Sequence, residues 1–249
     1  MDNYILSINN LKKIYHTPEN EIEAVANFSL NLNKNEFIAL VGPSGCGKST
    51  ILSILSSLEE KSDGENKMNP STKIGYMLQQ DCLFEWLTIK ENCLLGLKLQ
   101  KLLTKETEAN VIRLLETYGL KDFINAHPSN LSGGMRQRVA LIRTLAINPD
   151  ILLLDEPFSA LDYQSRLAVS DDVYKIIKNE NKAAIIVTHD IAEAISMADK
   201  VIVLTNRPCK VKTIYEINLT NKKTPIENRK TKEFPEYYDK IWKDIDHHV

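Results

Sequence analysis

Residues 42 to 49 read Gly-Pro-Ser-Gly-Cys-Gly-Lys-Ser, a match to GxxxxGK[ST], and they limit what this chain can become more than any other stretch. The apolar run Phe-Ile-Ala-Leu-Val (37–41) precedes them, and a segment follows in which Ile51, Leu55 and Leu58 share a helical face. That order predicts a strand, a tight loop and a helix. Glycines let the loop curl so that successive N–H groups converge, and the helix adds the positive end of its dipole, which makes a cradle for phosphate groups. Lys48 is expected to reach β- and γ-phosphates, and the Ser49 hydroxyl to ligate Mg²⁺. A kinase, a GTPase and an ATPase share such a loop. The chain has no Asn/Thr-Lys-x-Asp segment of the kind that reads guanine, which favours adenine.

The rest of the pattern is α/β with a mostly parallel core sheet. Residues 37–41, 151–154, 183–187 and 200–204 are apolar in succession, or nearly so, as in strands covered on both faces, and helical stretches alternate with them. Sheets of this kind place ligands at the carboxyl ends of their strands, where Gly42, Asp155, Glu156 and His189 fall. The first 35 residues read as a small antiparallel sheet turning at Thr17 to Asn20. Leu94, Leu95, Leu97, Leu99, Leu102, Leu103, Val111, Ile112, Leu114, Leu115 and Tyr118 predict a helical insertion at about 80–130, most of them as its core. A domain at 1–217 carrying the phosphate loop would then be followed by a tail at 218–249. Phe234, Tyr237, Tyr238, Ile241, Trp242 and Ile245 make that tail an amphipathic helix, packed on its own domain or binding a partner, with His247 and His248 exposed at its end.

Composition excludes other classes. With 31 Lys and Arg against 33 Asp and Glu the net charge is −2, so no basic field is available for a nucleic-acid backbone. Cys46, Cys82, Cys93 and Cys209 have no metal-site spacing and are expected to be reduced, semi-buried thiols. No apolar run nears the 18 or so residues of a spanning helix, and the N-terminus has no leader pattern, so a cytosolic chain with peripheral membrane association is expected.

Leu131-Ser-Gly-Gly-Met-Arg-Gln-Arg138, then Ile151-Leu-Leu-Leu-Asp155-Glu156-Pro157 and Ser159-Ala-Leu-Asp162, resemble the ATP-binding cassette family when joined to residues 42–50. The resemblance spans Tyr15 to about residue 210 and implies a P-loop NTPase ABC cassette that hydrolyses ATP with Mg²⁺. It places the loop residues Gly42, Pro43, Ser44, Gly45, Cys46, Gly47, Lys48, Ser49 and Thr50 on ATP. Ser132, Gly133 and Gly134, which precede an amphipathic segment carrying Met135, Val139 and Ile142, would serve the ATP held by a second copy in a head-to-tail dimer. Asp155 would hold Mg²⁺ with Ser49, and Glu156 would be the general base. His189 resembles the family's switch histidine, Asp162 its D-loop residue and Tyr15 its adenine-stacking aromatic. The doublet Gln79-Gln80 leaves two registers for the glutamine that senses Mg²⁺ and water, and aligning Leu83 with the following Trp-Leu-Thr selects Gln79.

A single cassette without fused membrane segments resembles an importer subunit, which would dock on separate permease chains served by an extracytoplasmic substrate-binding protein. Residues 80–88, Asn92, Leu95-Gly-Leu97, Asn206-Arg207-Pro208 and the aromatic tail resemble the nitrate/sulfonate/taurine group. Two residues depart from it: Glu85 stands where that group has Pro, and Ser57 replaces a common Gly after the loop helix. The competing reading is a non-transport cassette acting on the ribosome or DNA. Neither tandem cassettes, nor heptads, nor a basic balance speak for it. No nucleic-acid partner is expected.

Overall fold

The computed structural model describes residues 4–18 and 20–246. His247 and His248 lie outside the described residues. In chain order the elements are β1 (Tyr4–His16), β2 (Glu21–Asn33), β3 (Phe37–Val41), α1 (Lys48–Leu55), β4 (Asp63–Met68), β5 (Ile74–Met77), α2 (Ile89–Leu99), α3 (Lys105–Thr117), α4 (Gly133–Ala146), β6 (Ile151–Asp155), α5 (Tyr163–Asn179), β7 (Ala183–Val187), α6 (Ile191–Met197), β8 (Lys200–Leu204), β9 (Val211–Glu216), α7 (Pro225–Asn228) and α8 (Phe234–Asp246).

Six strands form the main sheet in the order β5-β6-β7-β3-β8-β9, parallel except for the final pair. The four apolar runs of the sequence are its centre, and every residue of β3, β6 and β7 is buried. One face carries the helices, with Val139, Ile142 and Leu145 of α4 and Val173 and Ile177 of α5 in the same core as Leu154 and Ile186. The other face packs α1 and the N-terminal sheet through Ile51, Leu52, Leu55, Phe28 and Leu32.

That N-terminal sheet is antiparallel, in the order β2-β1-β4. Its third strand comes from the polar run Asp-Gly-Glu-Asn-Lys-Met, which alternates exposed and half-buried positions and carries no apolar signature. The main sheet also continues past β8, the last strand expected from the sequence. β9 returns antiparallel beside it, half-solvated along its length. Leu58 does not share the face of Ile51 and Leu55: α1 stops at Leu55, Ser57 turns the chain at φ 60°, and Leu58 is 67% exposed.

In the helical insertion α2 packs on α4, with Leu94, Leu97, Val111, Leu114 and Leu115 buried. Leu99, Leu102 and Leu103 are exposed where α2 gives way to α3, so they are not core. Three of the cysteines are fully buried and Cys82 is exposed, rather than all four being half-covered, and none is in a disulfide. Helix α8 lays Ile241 into the main core, with Phe234, Tyr237, Tyr238 and Ile245 packed around it and Trp242 51% exposed.

Candidate functional site

The phosphate loop leaves the carboxyl end of β3, which is flanked by β7 and β8, so neighbouring strands deliver their ends beside it. Its shape requires glycine at two points. Gly45 has φ 72° and Gly47 has φ 125°, and a Cβ on Gly47 would stand 2.9 Å from the Ala24 carbonyl oxygen. Lys48 is 5% exposed, and its Nζ donates to the carbonyls of Gly42 at 2.8 Å and Pro43 at 2.9 Å. The ammonium is thus held inside the curl of its own loop, ready to exchange weak carbonyl partners for an anion.

A cavity of about 350 Å³ opens above the loop. Ser44, Gly45, Gly47, Lys48, Ser49 and Thr50 line its floor, Tyr15, Ile22 and Ala24 of the N-terminal sheet one wall, and Glu156 and Arg207 the remainder. The Tyr15 hydroxyl donates to Glu59, and Lys13 Nζ lies 4.8 Å from the Tyr15 ring centroid. Burial first, and then the Glu59 hydrogen bond, raise the Tyr15 pKa, so the phenol stays protonated.

Asp155 ends β6, nearly buried, and accepts hydrogen bonds from Ser49 Oγ at 3.0 Å and the Tyr76 hydroxyl at 3.1 Å. Burial raises its pKa and the neighbouring Glu156 charge adds to the rise, against the lowering by Ser49 and Tyr76. A cation beside this carboxylate would relieve that penalty. Ser49 and Asp155 are hard oxygen donors of the kind Mg²⁺ takes. Among the described residues no three His, Cys, Asp or Glu side chains could hold a metal by themselves, so phosphate and water oxygens would have to complete its shell.

Glu156 follows in a left-handed conformation, φ 44°, which costs a residue with a Cβ about 1–2 kcal/mol. Tertiary bonds hold it there: its N–H donates to Val187 O at 2.9 Å, and Ser159 Oγ donates to its carbonyl at 3.0 Å. The strained turn aims the carboxylate along the sheet edge. Its Oε2 is 3.2 Å from His189 Nδ1 and 3.5 Å from Gln79 Nε2. Gln79, Glu156 and His189, expected from three separate segments, therefore meet around one oxygen atom.

Ser132, Gly133, Gly134 and Asp162 do not join them in the single chain, and none lines the cavity. Ser132 caps α4, its Oγ accepting from Met135 N at 3.4 Å. Asp162 caps α5, accepting from Gln164 N and Ser165 N at 3.1 Å each. Gly134 has a packing reason too, since a Cβ there would lie 2.7 Å from Val169 Cγ2 of α5.

Sequence reasoning missed three site residues. Tyr76 and Ser159 are ordinary neighbours of Gln79 and Glu156 until the fold turns them onto Asp155 and the Glu156 carbonyl. Arg207, noted only within Asn206-Arg207-Pro208, reaches the loop with Nη2 2.9 Å from Gly45 O.

A phosphate loop on a central strand, a histidine following the strand beside it and an Asp-Glu pair ending the next strand out are the parts of a P-loop nucleoside triphosphatase. Residues 25–159 match the family model described as ABC transporter, and the chain belongs to that family, as an ATP-binding ATPase subunit. It is 43% identical over 247 residues to an uncharacterized ABC transporter ATP-binding protein, YtlC of Bacillus subtilis strain 168, covering 96% of this chain and 95% of that one. It is 35% identical to the taurine import ATP-binding protein TauB of Roseobacter denitrificans, over 93% of this chain and 89% of the relative. Identity to the nitrate import ATP-binding protein NrtD of a Synechocystis species is also 35%, over 94% and 91%. Among solved structures, the dimeric post-hydrolysis state of the cassette MJ0796 bound to ADP and Pi superposes with a TM-score of 0.71 at 31% identity, covering 86% of this chain and 99% of that one.

Proposed function

We propose that the chain is the ATP-hydrolysing subunit of an importer for a small solute of the nitrate, sulfonate or taurine type. The meeting of Gln79 and His189 on Glu156 Oε2, beside a phosphate loop, carries the hydrolytic part of this reading. ATP lies with its base against Tyr15 and its phosphates on residues 42–50. Ser49 and Asp155, with Gln79, would hold Mg²⁺, which would supply charge neutralisation at the phosphates. Glu156 accepts a proton from water as the water oxygen bonds to the γ-phosphorus, and the bond from that phosphorus to the β–γ bridging oxygen breaks, leaving ADP and phosphate. His189 and Gln79 hold the water and the carboxylate in line.

Ser132 to Gly134 and Asp162 do not line the cavity of their own chain, so their expected ATP contact needs the second copy of a head-to-tail dimer. The dimeric cassette to which this fold is similar supports that arrangement. No helix among the described residues is long and apolar enough to cross a membrane. Separate permease subunits and an extracytoplasmic substrate-binding protein complete the system, with this chain peripheral on the cytoplasmic membrane face. Phe84 and Trp86, 5.0 Å apart and exposed at 36% and 73%, suit the permease contact. Glu85, where the subgroup has Pro, ion-pairs with Arg136 at 2.8 Å, which keeps this loop tied to α4. The relatives named for import favour transport over a ribosome- or DNA-bound role.

Glu156→Gln tests the proposal. Hydrolysis should fall by about 10² or more while ATP binding persists and the ATP-bound dimer accumulates. Unchanged turnover would remove Glu156 from the chemistry.

A further inference from the structure

The hairpin between β8 and β9 brings a cation to the rim of the nucleotide cavity. It is built as a rigid platform. Thr205 N donates to Lys210 O at 2.9 Å, and Lys210 N donates to Thr205 Oγ1 at 3.0 Å, closing the turn. Cys209 N donates to Ala24 O and Ala26 N to Cys209 O, both at 2.9 Å, so the hairpin is clamped to the strand that forms one cavity wall. From this platform the exposed Arg207 side chain reaches over the phosphate loop to the Gly45 carbonyl.

Charge gives the position its meaning. The residues lining the cavity include two cations, Lys48 and Arg207, and one carboxylate, Glu156. Without Arg207 the lining is formally neutral, a poor match to a triphosphate chain. With it the cavity is net positive. Among the described residues only Nη2 of the guanidinium is engaged, on one backbone carbonyl, which leaves its other N–H groups for phosphate oxygens. Because the hairpin is already clamped, little ordering cost remains to be met when the nucleotide enters.

We propose that Arg207 is a nucleotide-binding residue whose guanidinium pairs with the phosphate chain of ATP from the β8–β9 hairpin, opposite Lys48. The proposal rests on the assignment of this cavity as the ATP site. Arg207 is a binding residue and takes no part in moving protons.

Equilibrium binding of ATP to the whole protein, read by calorimetry over a range of salt concentrations, tests this with Arg207→Ala and Arg207→Gln. Glutamine can still donate to the Gly45 carbonyl but carries no charge. Both variants should melt within a few degrees of the parent, bind ATP about ten-fold or more weakly at low salt, and show a shallower salt dependence. If Arg207→Gln binds like the parent, or if both variants do, the guanidinium only props Gly45 and the proposal falls. Lys48→Ala, run alongside, separates the two layers. Should its affinity also be undiminished, the ATP-site assignment itself is overturned; lost affinity there with intact affinity at residue 207 overturns Arg207 alone.

Discussion

Glu193→Gln should change how the stability of this protein depends on pH. Glu193 sits in α6, 3% exposed, accepting a hydrogen bond from Thr188 Oγ1 at 2.7 Å. Burial pushes its carboxyl pKa from 4.5 up to about 7, and the negative charge of Asp190 adds to the rise. The Thr188 bond, Arg166, 4.0 Å away, and Arg229 pull the other way without winning. A carboxyl with a raised folded-state pKa binds its proton more tightly folded than unfolded. Its stabilising contribution is complete below the unfolded pKa and is lost as pH climbs through the folded one. Between 4.5 and about 7 the folded form holds a proton that the unfolded form has released, so stability falls by about 1.4 kcal/mol per pH unit, or about 3 kcal/mol in all. Glutamine keeps an acceptor for Thr188 and has nothing to ionise. Urea unfolding at intervals from pH 5 to 8 should show the variant gaining on the parent by about 3 kcal/mol across the window. Curves that stay parallel would mean that Glu193 is ionised throughout in the folded protein, with Arg166 and Arg229 compensating burial fully.

Other substitutions have defined outcomes. Asn92 is fully buried, accepts from Phe84 N at 2.8 Å and donates to the carbonyls of Phe84, Leu87 and Thr88, so Asn92→Leu should cost about 2–4 kcal/mol by denaturant melting. Limited proteolysis of that variant should begin within 84–88. Ser57→Gly removes a Cβ from a left-handed position and should stabilise the chain by about 0.5–1 kcal/mol, raising the thermal midpoint with ATPase rate unchanged. Gly134→Ala should destabilise α4 against Val169 by about 1–3 kcal/mol, visible in the same melts.

What could be read from the sequence follows from what each element buries. Strands β3, β6, β7 and β8 are covered on both faces, which demands apolar runs, and these stand out in a linear reading. β4 and β9 are edge strands, half-wet, and their side chains answer to solvent as much as to a core, so Asp-Gly-Glu-Asn-Lys-Met carries no strand signal. Apolar residues misled where they face outward: Leu58 lies past the end of α1, and Leu99, Leu102 and Leu103 sit at a helix junction open to water. In the candidate site, the loop was legible from its Gly and Lys spacing, and Asp155, Glu156 and His189 from their places at strand ends together with the family resemblance. Tyr76 and Arg207 were not, since only the sheet order brings Tyr76 onto Asp155 and only the β8–β9 clamp brings Arg207 to the cavity.

The loop at residues 81–85 is fastened to α4 at two places. Arg136 grips Asp81 through Nε at 2.8 Å and Nη2 at 3.0 Å, and also pairs with Glu85. Burial would raise the Asp81 pKa, but the Arg136 bonds outweigh it and hold the carboxyl low, so this grip persists into mildly acidic solution. Arg143, two turns along the same helix, donates to the carbonyls of Asp81 and Cys82. At 1.5 Å of rise per residue the two anchors are about 10 Å apart, and a rod pinned twice cannot swivel about either pin. A force on this loop is therefore delivered to the whole of α4 as torque and translation together. The Ser132 end of that helix, one turn from Arg136, has to travel with it.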